Sequence, residues 1–233
     1  MSLRLAVFAS GGGTNLQALI DAFHGRPDPA IRIVLVISDR RQAGALARAQ
    51  KAGIEATIIP VSQRPVEELV EELLEALSSA NIDLILLAGY LRLIPAEVVR
   101  RYRQRIINIH PALLPAFGGK GMFGLNVHRA VLQSGATLSG ATVHMVDECF
   151  DEGMILAQWP VPVLVDDSPE RLAERVLHVE HLLYPATVEA LARSMERGAS
   201  PEHFTRAALT AGFVYRVDEE PQLADIRQAL GLE

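Results

Sequence analysis

The chain has 233 residues, 49% of them hydrophobic and 21% charged, enough for a substantial core and ordinary for a globular protein in water. A formal charge of −6 leaves too little basic surface for a general nucleic-acid binder, and no run approaches the ~20 apolar residues of a membrane span. The single cysteine, Cys149, excludes an intramolecular disulfide and reads as a buried, inert thiol. That thiol and an N-terminal apolar run too short for a signal peptide together predict a cytoplasmic protein.

Leu3 to Ala9 reads as a buried strand. Ser10-Gly11-Gly12-Gly13-Thr14-Asn15 is a glycine loop, and Leu16 to His24 a helix with Leu16, Leu19, Ile20 and Phe23 on its apolar face. Ile31 to Ser38 is a second strand, Ala43 to Ala52 a helix stopped by Gly53, and Glu55 to Val61 a third strand. Pro65 to Ala80 is an acidic amphipathic helix, Ile82 to Ala88 a fourth strand, Pro95 to Arg103 a helix and Arg105 to Ile109 a fifth strand. Strands alternating with helices predict parallel βαβ units.

The pattern then changes. Leu125 to Gln133 is a helix, and Ser139 to Val146 and Met154 to Val163 are two longer strands suited to antiparallel pairing around an acidic loop. Ser168-Pro169-Glu170 opens a long helix with Leu172, Val176, Val179 and Leu183 on its apolar face and a kink expected at Pro185. The chain from Ser200 is less regular and is expected to be in part a loosely attached extension. The fold expected is three-layer α/β/α, Rossmann-like, with a mostly parallel sheet and an antiparallel C-terminal part. Residues 1–199 form one domain and 200–233 its extension.

Three motifs carry chemistry. The glycine loop runs from a strand into a helix N-terminus, where converging N–H groups and the helix dipole favour an anion. It lacks Gly-Lys-Ser/Thr and the full G-x-G-x-x-G, so a phosphate on a small metabolite fits better than ATP or NAD; a plain tight turn is the alternative. Asn108 and His110 lie two residues apart at the end of a strand, so both side chains leave one face, and Pro111 and Pro115 stiffen the exit. An amide can donate to an oxyanion and an imidazole can move a proton near neutral pH; a hydrogen-bonded core histidine is the alternative. The acidic loop Asp147-Glu148-Cys149-Phe150-Asp151-Glu152-Gly153 offers a carboxylate for His110 or reads equally well as a solvated turn. His110, His128 and His144 show no metal-ligand spacing, so no metal is expected.

At these residues the chain resembles the folate-dependent formyltransferases, in particular the phosphoribosylglycinamide formyltransferase family. The glycine loop, Ala88-Gly89-Tyr90-Leu91-Arg92, Asn108-Ile109-His110-Pro111 through Leu114-Pro115, Gly140 to His144, Asp151-Glu152-Gly153 and Glu180-His181 follow in family order over about residues 3 to 195. The resemblance implies formyl transfer from 10-formyltetrahydrofolate, a co-substrate, to the amine of a phosphoribosylglycinamide in purine synthesis. It implies that Asn108 donates to the oxyanion, that His110 acts as imidazolium, and that Asp151 sustains that charge. Gly12, Gly13, Thr14 and Asn15 would bind the phosphate, Glu180 the ribose hydroxyls, and Tyr90, Leu91, Arg92, Leu93 and Asp147 the folate. A cis peptide before Pro115 is implied too. Gly118 to Gly124 is a glycine-rich insertion relative to shorter members, suited to closing over substrate.

The rivals are a formyltetrahydrofolate hydrolase, with water as acceptor, and a non-catalytic nucleotide-binding module. Hydrolases usually carry an extra N-terminal domain, which is not expected here because the first strand begins at Leu3. The partners expected are two small molecules, with neither nucleic acid nor membrane, and homodimerisation is left open.

Overall fold

The computed structural model describes residues 2–25, 30–62, 64–196, 222–230 and 232. In chain order the elements are β1 (Leu3–Phe8), α1 (Thr14–Phe23), β2 (Ile31–Ser38), α2 (Gly44–Lys51), β3 (Glu55–Ile58), α3 (Val66–Ser79), β4 (Leu84–Leu87), α4 (Ala96–Arg101) and β5 (Ile106–His110). They continue with α5 (Leu125–Ser134), β6 (Leu138–Met145), β7 (Ile155–Pro162), α6 (Pro169–Glu196) and α7 (Leu223–Ala229). The strands form a seven-stranded sheet in the order β3-β2-β1-β4-β5-β6-β7. β1 pairs parallel with β2 and β4, β2 with β3 and β4 with β5, whereas β6 and β7 pair antiparallel. This is the mostly parallel sheet with an antiparallel C-terminal part that the sequence predicts.

The chain falls into two compact units, Met1–Asn108 with Val146–Glu148 and Ile109–Met145 with Cys149–Glu233. In the first, successive strands grow outward from β1 to β3 and then resume at β4 on the other side of β1. The reversal leaves the carboxyl ends of β1 and β4 side by side, the edge at which open α/β sheets take ligands. Buried Phe8, Ile37, Leu73, Leu77, Ile85 and Val98 belong to one core between this sheet and its helices. α2 ends as Gly53 predicts: Gly53 lies at φ 69°, its N–H donates to Gln50 and that of Ile54 to Ala49, a Schellman closure. β3 stops at Ile58, short of the predicted Val61, because Pro60 has no N–H for the ladder.

In the second unit α6 packs on β6, β7 and α5. Its predicted face, Leu172, Val176, Val179 and Leu183, is wholly buried, worth about 2 kcal/mol for each side chain taken from water. The helix runs on through Pro185 to Glu196 as one element. β7 ends the sheet and carries Pro160 and Pro162, which an edge position accommodates. The extension expected from Ser200 lies mostly outside the described residues. Its described end is docked: Ile226, Leu230 and Leu232 are buried, and Arg227 pairs with Glu189 of α6. Among the described residues no helix is long and apolar enough to cross a membrane.

Candidate active site

The glycine loop is shaped by α2. The N–H of Ala45 donates to Gly11, and the Arg48 guanidinium donates to the Gly12 carbonyl (2.8 Å) and to Gln17 (3.0 Å). Gly13 takes φ 73°, and a Cβ there would lie 2.7 Å from the Ala45 Cα, so its glycine is a steric requirement. A Cβ on Gly11 or Gly12 would meet nothing within 4 Å; these two face open space. That space is a cleft of about 670 Å³ lined by Ser10, Gly11, Gly12, Arg40, Arg41 and Gln42. Thr14 and Asn15 open α1 immediately after Gly13, so the four residues that the resemblance assigns to the phosphate are contiguous at a helix N-terminus.

The exit of β4 is tied to the same loop. Ser10 N–H donates to the Gly89 carbonyl, and Leu91 N–H donates to Ser10 Oγ at 3.0 Å. The Leu91 amide is therefore engaged within the protein. Arg92 reaches Asp39 at 2.9 Å, and Arg40 approaches the same carboxylate at 3.7 Å. The Tyr90 hydroxyl is held well above its ordinary pKa, by burial first and the Asp39 charge second. Leu91 and Leu93 are exposed, as is Asp147.

In the second unit His110 and Asp151 lie side by side. His110 is 3% exposed at the end of β5; its Nε2–H donates to the Phe117 carbonyl at 2.9 Å and its Nδ1 lies 3.6 Å from Asp151 Oδ2. His144 on β6 mirrors it: Nδ1–H donates to the Met145 carbonyl at 2.8 Å, and Nε2 lies 3.6 Å from Asp151 Oδ1. Because a carbonyl can only accept, the neutral His110 ring carries its proton on Nε2, away from Asp151. The Gly119 N–H donates to Asp151 Oδ2 at 2.9 Å. Burial pushes the Asp151 carboxyl up, but the His144 contact, the His110 charge and the Gly119 N–H outweigh it, and the net pKa is below the ordinary value.

His110 moves the other way from expectation. Burial, the largest influence, lowers its pKa below 6.5; Asp151 and the Phe117 carbonyl raise it, and His144 lowers it further. Desolvation outweighs the single carboxylate, which disfavours the imidazolium that the resemblance implies. Asn108 precedes it by two residues on β5, on the same face of the strand. Glu180 is buried on α6 (6% exposed). The Leu114–Pro115 bond is cis, as implied.

A model of the formyl transferase family matches residues 3–188. The chain belongs to the formyl transferase family. It is similar to the chloroplastic phosphoribosylglycinamide formyltransferase of Arabidopsis thaliana, 46% identical over 192 residues covering 81% of this chain and 65% of that protein. The Vigna unguiculata counterpart is 44% identical over 194 residues, covering 81% and 60%. The chain thus spans less than two thirds of the length of these plant relatives. Among solved structures, the phosphoribosylglycinamide formyltransferase from Brucella melitensis superposes with a TM-score of 0.75 at 44% identity, covering 82% of this chain and 96% of that one.

Other features of the chain escape the sequence reading. Thr142 Oγ1 donates to Ala112 (2.6 Å) and accepts from Leu114 N–H (3.1 Å) and Gln158 Nε2 (3.0 Å), while Gln158 also donates to the Leu114 carbonyl (2.8 Å). This network pins the turn after His110 to β6 and β7; its trace in the sequence is two polar residues, Thr142 and Gln158, set among apolar neighbours on their strands. Arg40 and Arg41 had a signal, two cations at the carboxyl end of β2. Cys149 corrects an expectation: it is exposed, because the loop between β6 and β7 carries it outward among acidic residues.

Proposed function

We propose that the chain transfers the formyl group of 10-formyltetrahydrofolate to the amine of N1-(5-phosphoribosyl)glycinamide, releasing tetrahydrofolate, in de novo purine synthesis. The observation that carries this reading is a carboxylate, Asp151, set between two imidazoles whose other nitrogens are committed to main-chain carbonyls, with Asn108 two residues before one of them. The phosphoribosylglycinamide formyltransferases at 44–46% identity support the same substrates.

In this reading the substrate amine attacks the formyl carbon and the formyl oxygen becomes an oxyanion. The Asn108 amide donates to that oxygen. His110, neutral at rest, takes the proton shed by the attacking amine on Nδ1, is stabilised as imidazolium by Asp151, and returns a proton to the departing folate nitrogen. Gly12, Gly13, Thr14 and Asn15 anchor the phosphate, which fixes the amine for attack. Glu180 accepts from the ribose hydroxyls, and Tyr90 to Leu93 with Asp147 hold the folate.

The domain reading, 1–199 with a C-terminal extension over 200–233, is part of this proposal; the family match runs through both compact units. So is a cytoplasmic setting, supported by a lone thiol. Incubation with 10-formyltetrahydrofolate, with and without the ribonucleotide, is the test. Consumption that requires the ribonucleotide supports transfer; formate released without it assigns a hydrolase and overturns the reading.

A further inference from the structure

The turn that leaves the active site, Phe117-Gly118-Gly119, touches both members of the catalytic pair through main-chain atoms. The Phe117 carbonyl accepts from His110 Nε2–H, and two residues later the Gly119 N–H donates to Asp151 Oδ2, each at 2.9 Å. The backbone reaches this shape through left-handed conformations at Phe117 (φ 57°) and Gly119 (φ 94°), and Asp151 itself lies at φ 58°. A non-glycine residue in that region is uncommon, so two of them facing each other across one pair mark a constrained arrangement. Between them Gly118 is pressed against its neighbours. A Cβ there would lie 2.6 Å from Leu114 Cδ2 and 3.2 Å from the Asp151 Cβ.

We propose that Phe117-Gly118-Gly119 is a positioning clamp: it fixes the His110 ring as the Nε2–H form, making Nδ1 the working nitrogen, and sets the Asp151 carboxylate against it. The clamp rests on the roles given above to His110 and Asp151. Its logic is that of an orienting second partner to a catalytic imidazole, with a peptide carbonyl in place of a side chain. A peptide group neither ionises nor rotates freely, so it holds the ring the same way at every pH. Because one short turn supplies both contacts, ring and carboxylate move as a unit. Gly118 is the fulcrum: with no side chain, it lets the turn lie against Leu114 and Asp151 together. The predicted role of this glycine-rich insertion as a mobile cover is thus joined by a fixed one at its start.

The test has two arms. Long-range ¹H–¹⁵N spectra of the unmodified protein at pH 8 read the His110 tautomer without any substrate. The Nε2–H pattern is expected, and an Nδ1–H pattern overturns the clamp whatever reaction the protein catalyses. The second arm is Gly118→Ala, assayed with both substrates. Misplacing a catalytic group by about 1 Å costs up to ~100-fold in rate, so kcat should fall by ~10- to 100-fold while both KM values stay within about twofold. Leu114→Ala in the same chain clears the nearer obstruction but not the one at Asp151, and is expected to restore kcat only in part. A kcat within twofold of the parent in Gly118→Ala, or a loss confined to KM, overturns the proposal. An absence of formyl transfer in the parent would instead defeat the functional reading and leave the tautomer result to judge the clamp.

Discussion

Replacing His128 by phenylalanine should remove much of the protein's sensitivity to mild acid. His128 lies on α5, is 4% exposed, and its Nδ1 has no hydrogen-bond partner among the described residues. Burial first, and the nearby His110 second, lower its pKa from 6.5 to about 4. Between these values the unfolded chain binds a proton that the folded chain refuses. Stability contributed by the neutral ring is therefore complete above pH 6.5 and is lost as pH falls toward 4. At about 1.4 kcal/mol per pH unit, moving from pH 7 to pH 5 costs roughly 2 kcal/mol through this one residue. Urea unfolding of the parent and of His128→Phe at both pH values isolates it, because the acid-sensitive contributions of Asp151 and His110 are retained in both proteins. The parent should lose about 2 kcal/mol more than the variant on acidification. Equal losses in the two proteins would show that His128 titrates normally and would refute the burial argument.

The other expectations concern the site and its supports. His110→Ala and Asp151→Asn should each lower turnover by ~100-fold or more in steady-state assays, and near-parental rates in both would remove them from the chemistry. Asn108→Ala should raise the barrier by about 3 kcal/mol, read as kcat, if its amide meets the oxyanion. Gly13→Ala forces a Cβ to 2.7 Å from the Ala45 Cα at a positive φ, which should cost about 2–4 kcal/mol in thermal or urea unfolding and weaken ribonucleotide binding by calorimetry. Arg227→Ala cuts the link to Glu189; since both groups are part-exposed, stability should fall by no more than about 1 kcal/mol while proteolysis near the C-terminus accelerates.

The sheet was legible because its strands are apolar runs bounded by glycine, proline and helical periodicity; even the closure of α2 at Gly53 followed from residue type. The site was legible only where residues close in sequence share a face, as Asn108 and His110 do. Asp151 could not be chosen by pattern from the carboxylates of its loop: its role depends on which one the loop turns inward. That choice is made by the left-handed backbone at Asp151 and by Gly119 N–H, thirty-two residues away in sequence. Arg92 with Asp39, fifty-three residues apart, was hidden for the same reason. The lowered pKa of His110 was not legible because sequence shows a neighbouring acid but not the loss of water around the ring. Cys149 was placed inside on the usual behaviour of free thiols, which a protruding acidic loop overrides.

The two prolines of β7 reach beyond the active site. A terminal strand normally offers a row of open amides on which a neighbouring molecule can build, strand upon strand. Pro160 and Pro162 stand two residues apart, so both missing amides fall on one side of the strand, and the intact pairing with β6 turns that side outward. That border of the sheet is therefore ill-suited to taking up a further strand, and exchanging both prolines for valine should speed aggregation, read by light scattering, without altering His110 or Asp151.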